Sequence, residues 1–157
     1  MSGDNRPGPV EEGTYLVRNV ASGLVLEVAG GARASGANVQ QGKEKVGAHG
    51  QRWRISAVPN GGGLYHLVCE ASGKRLDVAG ASTEPGANVQ QWKANNFGAQ
   101  EWAIERDLGN PGNVALVSFV SGLLLEVAGG SLDDGADVRQ GEDLDTPSQW
   151  WRLERVG

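Results

Sequence analysis

The chain has 157 residues, a net charge of −5 and 25 glycines, about twice the usual glycine share of roughly 7%. Interior glycines each cost a helix about 1 kcal/mol, so a helical bundle is excluded and a turn-rich β fold is favoured. An acidic chain offers no basic footprint for nucleic acid, and its apolar runs are far shorter than the roughly 20 residues that span a bilayer, which leaves no membrane insertion.

Residues 1–12 read as a flexible N-terminal tail. Met1–Pro9 has no apolar stretch and does not resemble a secretion signal. With a single cysteine, Cys69, no intrachain disulfide can form. Together these predict a cytoplasmic protein, or one exported by a non-classical route. After the tail, Tyr15–Val20 and Leu24–Val28 read as two strands joined by a tight hairpin turn at Ser22-Gly23. Asn38–Gln41 and Trp53–Ser56 read as a third and a fourth. Pro59-Asn60-Gly61-Gly62-Gly63 is a loop, and Gly109-Asn110-Pro111-Gly112 reads as another.

The pattern then repeats. Gln51-Arg52-Trp53, Gln100-Glu101-Trp102 and Gln149-Trp150-Trp151 are spaced by 49 and 49 residues. Ser22–Gly30 recurs as Ser72–Gly80 and Ser121–Gly129, and Gly36–Gln41 recurs as Gly86–Gln91 and Gly135–Gln140. The chain is therefore read as one all-β domain, residues 13–157, built of three units at 13–62, 63–111 and 112–157. Three units of four strands that close on themselves form a β-trefoil with pseudo-threefold symmetry, an arrangement that removes exposed sheet edges.

These motifs resemble the ricin-B-type, or R-type, β-trefoil lectins over residues 13–157. The resemblance rests on the three Gln-x-Trp motifs, on Leu76-Asp77-Val78-Ala79-Gly80 and on Ala87-Asn88-Val89-Gln90-Gln91-Trp92. Secreted members of the family often carry a disulfide in each unit, which this chain does not.

Strand alternation places the candidate site. Leu76 and Val78 face inward, so Asp77 faces outward. Val89 and Gln91 face inward, so Gln90 and Trp92 face outward. A carboxylate accepts hydrogen bonds from paired hydroxyls, an amide both donates and accepts, and an aromatic face covers the C–H side of a sugar ring. Asp77, Gln90 and Trp92 together suit a pyranose. The resemblance implies that these positions bind galactose-type sugars, galactose or N-acetylgalactosamine, on glycans or glycoproteins. Asn95 and Asn96 in the following loop are further contacts; Ala99 stands where the family often has an asparagine.

Units one and three differ from the middle unit in the same way. Glu27 and Glu126 replace the aspartate, and Gly42 and Gly141 replace the tryptophan. Glu27 with Gln40, and Glu126 with Arg139, are thus weaker candidates. Trp53, Trp102 and Trp151 read as core, with Gln51, Gln100 and Gln149 inward and bonded to buried backbone. Trp150 is directed outward, toward the tail or a contact surface. Alternation also sends Val25 and Leu124 to the surface, where a self-association patch would make a homo-oligomer.

Catalysis and metal binding find no support. His49 and His66 fall at unrelated places, Cys69 reads as a buried inert thiol, and no His/Cys grouping has zinc spacing. The acidic stretches Asp133-Asp134 and Glu142-Asp143-Leu144-Asp145 do not match a calcium loop. No cofactor is expected. The functional expectation is a non-catalytic lectin; a β-trefoil protease inhibitor, or an interaction or targeting module, is the alternative.

Overall fold

Alternating apolar residues with glycine-bearing turns between them leave short strands as the only elements that bury one face. A computed structural model describes residues 10–156. Its described residues form twelve strands: β1 (Gly13–Asn19), β2 (Val25–Val28), β3 (Val39–Gly42), β4 (Trp53–Ala57), β5 (Leu64–Cys69), β6 (Arg75–Val78), β7 (Val89–Trp92), β8 (Trp102–Asp107), β9 (Asn110–Ser118), β10 (Leu124–Val127), β11 (Val138–Gly141) and β12 (Trp151–Arg155). Strands β1, β4, β5, β8, β9 and β12 pair in a closed antiparallel ring. The remaining six form three hairpins, β2–β3, β6–β7 and β10–β11, each attached to the ring through its first strand. This is a β-trefoil.

The ring encloses the core. Trp53, Trp102 and Trp151 are fully buried. Each indole N–H donates to the backbone carbonyl of its own unit's second strand: Leu26 at 3.0 Å, Leu76 at 3.1 Å and Leu125 at 3.0 Å. A buried tryptophan needs such a partner, and here one bond ties the hairpin to the barrel in every unit.

A second glutamine set ties the units to one another. Gln41, Gln91 and Gln140 are fully buried. Gln41 Nε2 donates to Ser131 O and Asp133 O, both at 3.0 Å. Gln91 Nε2 donates to Ala32 O and Ala34 O, and Gln140 Nε2 to Ser82 O and Glu84 O, all at 2.9 Å. The three amide oxygens accept from Ser22, Ser72 and Ser121 hydroxyls. Each glutamine thus clamps a loop belonging to a different unit.

Three expectations change. The loop foreseen at 109–112 is a two-residue turn, and β9 already begins at Asn110. Of the tail foreseen at 1–12, residues 1–9 lie outside the described residues, whereas Val10 is buried and its N–H donates to Tyr65 Oη at 3.1 Å. Val25 and Leu124 are buried rather than exposed. The reason is visible at Arg75, which holds the same place in the middle unit. Its guanidinium donates to Asn95 O at 3.2 Å, so the loop toward the fourth strand roofs this face of the hairpin. Alternation assumes that the outer face is free along the whole strand, and at Val25 and Leu124 the turn before the fourth strand covers it. The self-association patch expected from Val25 and Leu124 does not exist.

Candidate functional site

The middle unit carries an open cleft of about 510 Å³. It is lined by Asp77 from β6, by Ala79, Gly80 and Ala81 from the turn after it, by Gln90 and Trp92 from β7, and by Asn95, Phe97 and Ala99 from the following loop. Cross-strand pairing explains the convergence. Asp77 pairs with Gln90 and Arg75 with Trp92, so the hairpin register aligns carboxylate, amide and indole on one face.

Asp77 is only 5% exposed, yet it opens on the cleft. Its oxygens are held by two amides: Gln90 Nε2 donates to Oδ1 at 3.3 Å, and Gln100 Nε2 donates to Oδ2 at 3.0 Å. Burial pushes its carboxyl above the ordinary aspartate value of 3.8, and the two amide bonds partly oppose this. Gln100 belongs to the Gln-x-Trp motif. Beyond the backbone bonds expected of it, to Lys93 O at 2.9 Å and from Asn95 N at 3.1 Å, it positions the carboxylate. That role was missed because strand alternation describes strands, and Gln100 lies in a one-turn helix just before β8.

Trp92 keeps 36% of its surface exposed, enough to present a face. Asn95 lines the cleft, and its side chain also accepts from Phe97 N at 3.0 Å, which shapes the loop. Asn96 is exposed in the same loop but does not line the cleft. Phe97 was not foreseen. The available signal is an aromatic where units one and three have Ala48 and Thr146.

Units one and three are built differently. Glu27 Oε1 accepts from Gln51 Nε2 and Oε2 from Gln40 Nε2, both at 2.8 Å. Glu126 Oε1 accepts from Gln149 Nε2 and Oε2 from Arg139 Nε, both at 2.9 Å. A Cβ built on Gly42 would overlap the Glu27 carboxylate, and one on Gly141 would overlap that of Glu126. The extra methylene of glutamate therefore lays the carboxylate where the middle unit begins its tryptophan. Glutamate and glycine form one arrangement, and aspartate and tryptophan another. In all three units the carboxylate is held by two donors from the protein; what units one and three lack is the aromatic face, and their carboxylate lies where that side chain would begin. Trp150 is half-buried and donates to Asp145 Oδ1 at 3.3 Å.

The sequence model of the ricin-type β-trefoil lectin domain-like family matches residues 6–92 and 98–157. The chain belongs to that family. The matched residues of this lectin-like chain leave out 93–97, the loop that carries Asn95, Asn96 and Phe97. Among solved structures, the designed three-fold symmetric protein ThreeFoil is 39% identical, with a TM-score of 0.84 over 91% of this chain and 99% of that one. An exo-β-1,3-galactanase from Clostridium thermocellum is 31% identical with a TM-score of 0.86; the match covers 95% of this chain but only 31% of the galactanase. The Macrolepiota procera ricin B-like lectin, solved in complex with lactose, is 22% identical at a TM-score of 0.80, covering 95% of this chain and all of that one. At that identity the likeness shows the fold. No curated protein sequence matches the chain.

Proposed function

We propose that this protein is a non-catalytic carbohydrate-binding lectin with one working site, in the middle unit, for galactose- or N-acetylgalactosamine-type residues of glycans and glycoproteins. The observation that carries the reading is the Asp77 carboxylate, held by two amides at the base of an open cleft beside an exposed indole. In this reading Asp77 accepts hydrogen bonds from a pair of sugar hydroxyls, Gln90 and Asn95 add polar contacts, and the pyranose C–H face lies on Trp92. Family membership supports it, as does the neighbour of the same fold solved with lactose.

Binding is favoured over hydrolysis on chemical grounds. Glycoside cleavage ordinarily uses two carboxyl groups about 5–9.5 Å apart, and Asp77 is the one carboxylate among the cleft's lining residues. In units one and three, Glu27 with Gln40 and Glu126 with Arg139 serve the fold, because Gly42 and Gly141 leave no indole beside them for a sugar ring to lie on.

The test is a glycan array followed by titration calorimetry of the best hit with Asp77→Asn and Trp92→Ala. A single shallow site binds in the millimolar range, about −4 kcal/mol. Losing a charge-assisted bond of about 1.5–3 kcal/mol weakens it roughly 10- to 100-fold. Undiminished binding in both variants refutes the assignment.

A further inference from the structure

The chain has nine aromatic residues: five tryptophans, two tyrosines and two phenylalanines. Trp53, Trp102, Trp151, Tyr15 and Tyr65 are buried, and Trp150 is half-buried. The remaining three are exposed: Trp92 and Phe97 belong to the middle unit, and Phe119, from the turn after β9 in unit three, lies against the middle unit's Gly98. Trp92 is 36%, Phe97 70% and Phe119 59% exposed. Phe97 lines the cleft. Phe119 rests on Gly98, the next residue, where a Cβ would come within 2.9 Å of its ring. His49 and Pro147 hold the place of Gly98 in the other units. Removal of a side chain at that one position makes room for the second phenylalanine.

A second observation concerns the turn after β6. Ala81 has φ +51°, in the left-handed region, where units one and three use Gly31 at +62° and Gly130 at +64°. A side chain there costs stability relative to glycine. The methyl so retained lines the cleft. Ala81 and Phe97 both line the cleft, and the turn that carries Ala81 packs against the turn that follows Phe97. Neither an exposed phenylalanine nor a strained alanine helps the fold; both add apolar surface to this cleft.

From these placements we infer that the cleft has a second, apolar subsite, formed by Phe97 and Ala81, which takes the next sugar of an oligosaccharide. The inference rests on the carbohydrate-binding reading and deepens it. The first sugar engages Asp77, Gln90 and Trp92; the second turns its C–H face to Phe97. The cleft is open and, at about 510 Å³, has room beside Trp92 for a further ring. The ligand class is therefore a glycan of at least two residues, and a free monosaccharide fills only part of the site.

The experiment is an array carrying galactose, N-acetylgalactosamine, glucose and mannose as monosaccharides, and di- and trisaccharides ending in each. It is probed with the wild type, Trp92→Ala, Phe97→Ala and Ala81→Gly. The expected result is a wild-type preference of at least tenfold for the oligosaccharides over their terminal monosaccharide. Phe97→Ala abolishes that preference and leaves the monosaccharide signal within twofold; Ala81→Gly reduces it severalfold; Trp92→Ala loses both signals. Wild-type binding with no size preference, or equal losses on both ligand classes in Phe97→Ala, overturns the second subsite and leaves the first intact. A wild type that binds no glycan overturns the carbohydrate reading, and this inference with it. Urea unfolding of each variant controls for folding, and Phe97→Leu, which keeps apolar bulk without the ring, must fall between wild type and Phe97→Ala.

Discussion

Gly42 should resist substitution for a reason unrelated to its backbone. It lies in β3 and does not have a left-handed φ, so alanine fits the conformation and by chain entropy alone would add about 0.4–1 kcal/mol of stability. The obstacle is Glu27. A Cβ at residue 42 overlaps its carboxylate, which must then leave Gln51 and Gln40. Two hydrogen bonds to a charged group represent about 1.5–3 kcal/mol each. Glu27 is only half-buried, so water recovers part of that, and the backbone gain offsets more; a net loss of about 2 kcal/mol remains. In a domain of this size that lowers Tm by about 4–8 °C. The assay is a double-mutant cycle by urea and thermal unfolding. Gly42→Ala should cost about 2 kcal/mol in the wild type and nothing, or less than nothing, in the Glu27→Ala background. Equal costs in both backgrounds would refute the reasoning, since the carboxylate would then not be what fills the space. Gly141→Ala with Glu126→Ala should repeat the result in the third unit.

Three further outcomes follow from the same geometry. Glycan binding should weaken on acidification, beginning at a higher pH than an ordinary aspartate would impose, because burial raises the Asp77 carboxyl and its protonation removes the accepting charge; calorimetry from neutral to acid pH checks this, and Asp77→Asn should show no such titration. In the free protein the sign is opposite: the raised value contributes stability below the unfolded pKa and loses it as pH rises through the folded one. Gln91→Ala should cost about 3 kcal/mol in urea unfolding, since its fully buried amide satisfies two loop carbonyls and the Ser72 hydroxyl, whereas Gln90→Ala should weaken binding and cost about 1 kcal/mol or less, because its 3.3 Å bond to Asp77 opens on the cleft and water replaces it. Glu27→Ala and Glu126→Ala should leave glycan affinity unchanged within twofold by calorimetry.

Most of the fold was legible because the same three landmarks recur, and recurrence survives any error in a single strand boundary. The buried tryptophans were legible for the same reason. Alternation was less dependable. It placed Leu76, Val78 and Val89 correctly but failed at Val25 and Leu124, where a loop covers the face that the rule leaves to solvent. It sent Asp77 outward, and the side chain does open on the cleft, although it is almost wholly buried. The grouping of Asp77, Gln90 and Trp92 could be read from strand pairing. Phe97 and Gln100 could not, because they belong to a loop and a single helical turn, where no period applies. The Glu27–Gly42 relation was visible only as two substitutions that occur together; its cause, a carboxylate lying over a missing side chain, required coordinates.

The buried glutamines run in one direction around the pseudosymmetry axis. Gln41 of unit one holds the loop of unit three, Gln140 of unit three holds that of unit two, and Gln91 of unit two holds that of unit one. The circuit has no first or last member. Delete one unit and a glutamine loses its loop while another loop loses its glutamine, so a buried amide and a pair of loop carbonyls lose their partners at once. A two-unit fragment is thus not two-thirds of a protein but an unclosed ring with polar ends. A lone unit supplied as separate chains can satisfy every clamp only by gathering in threes.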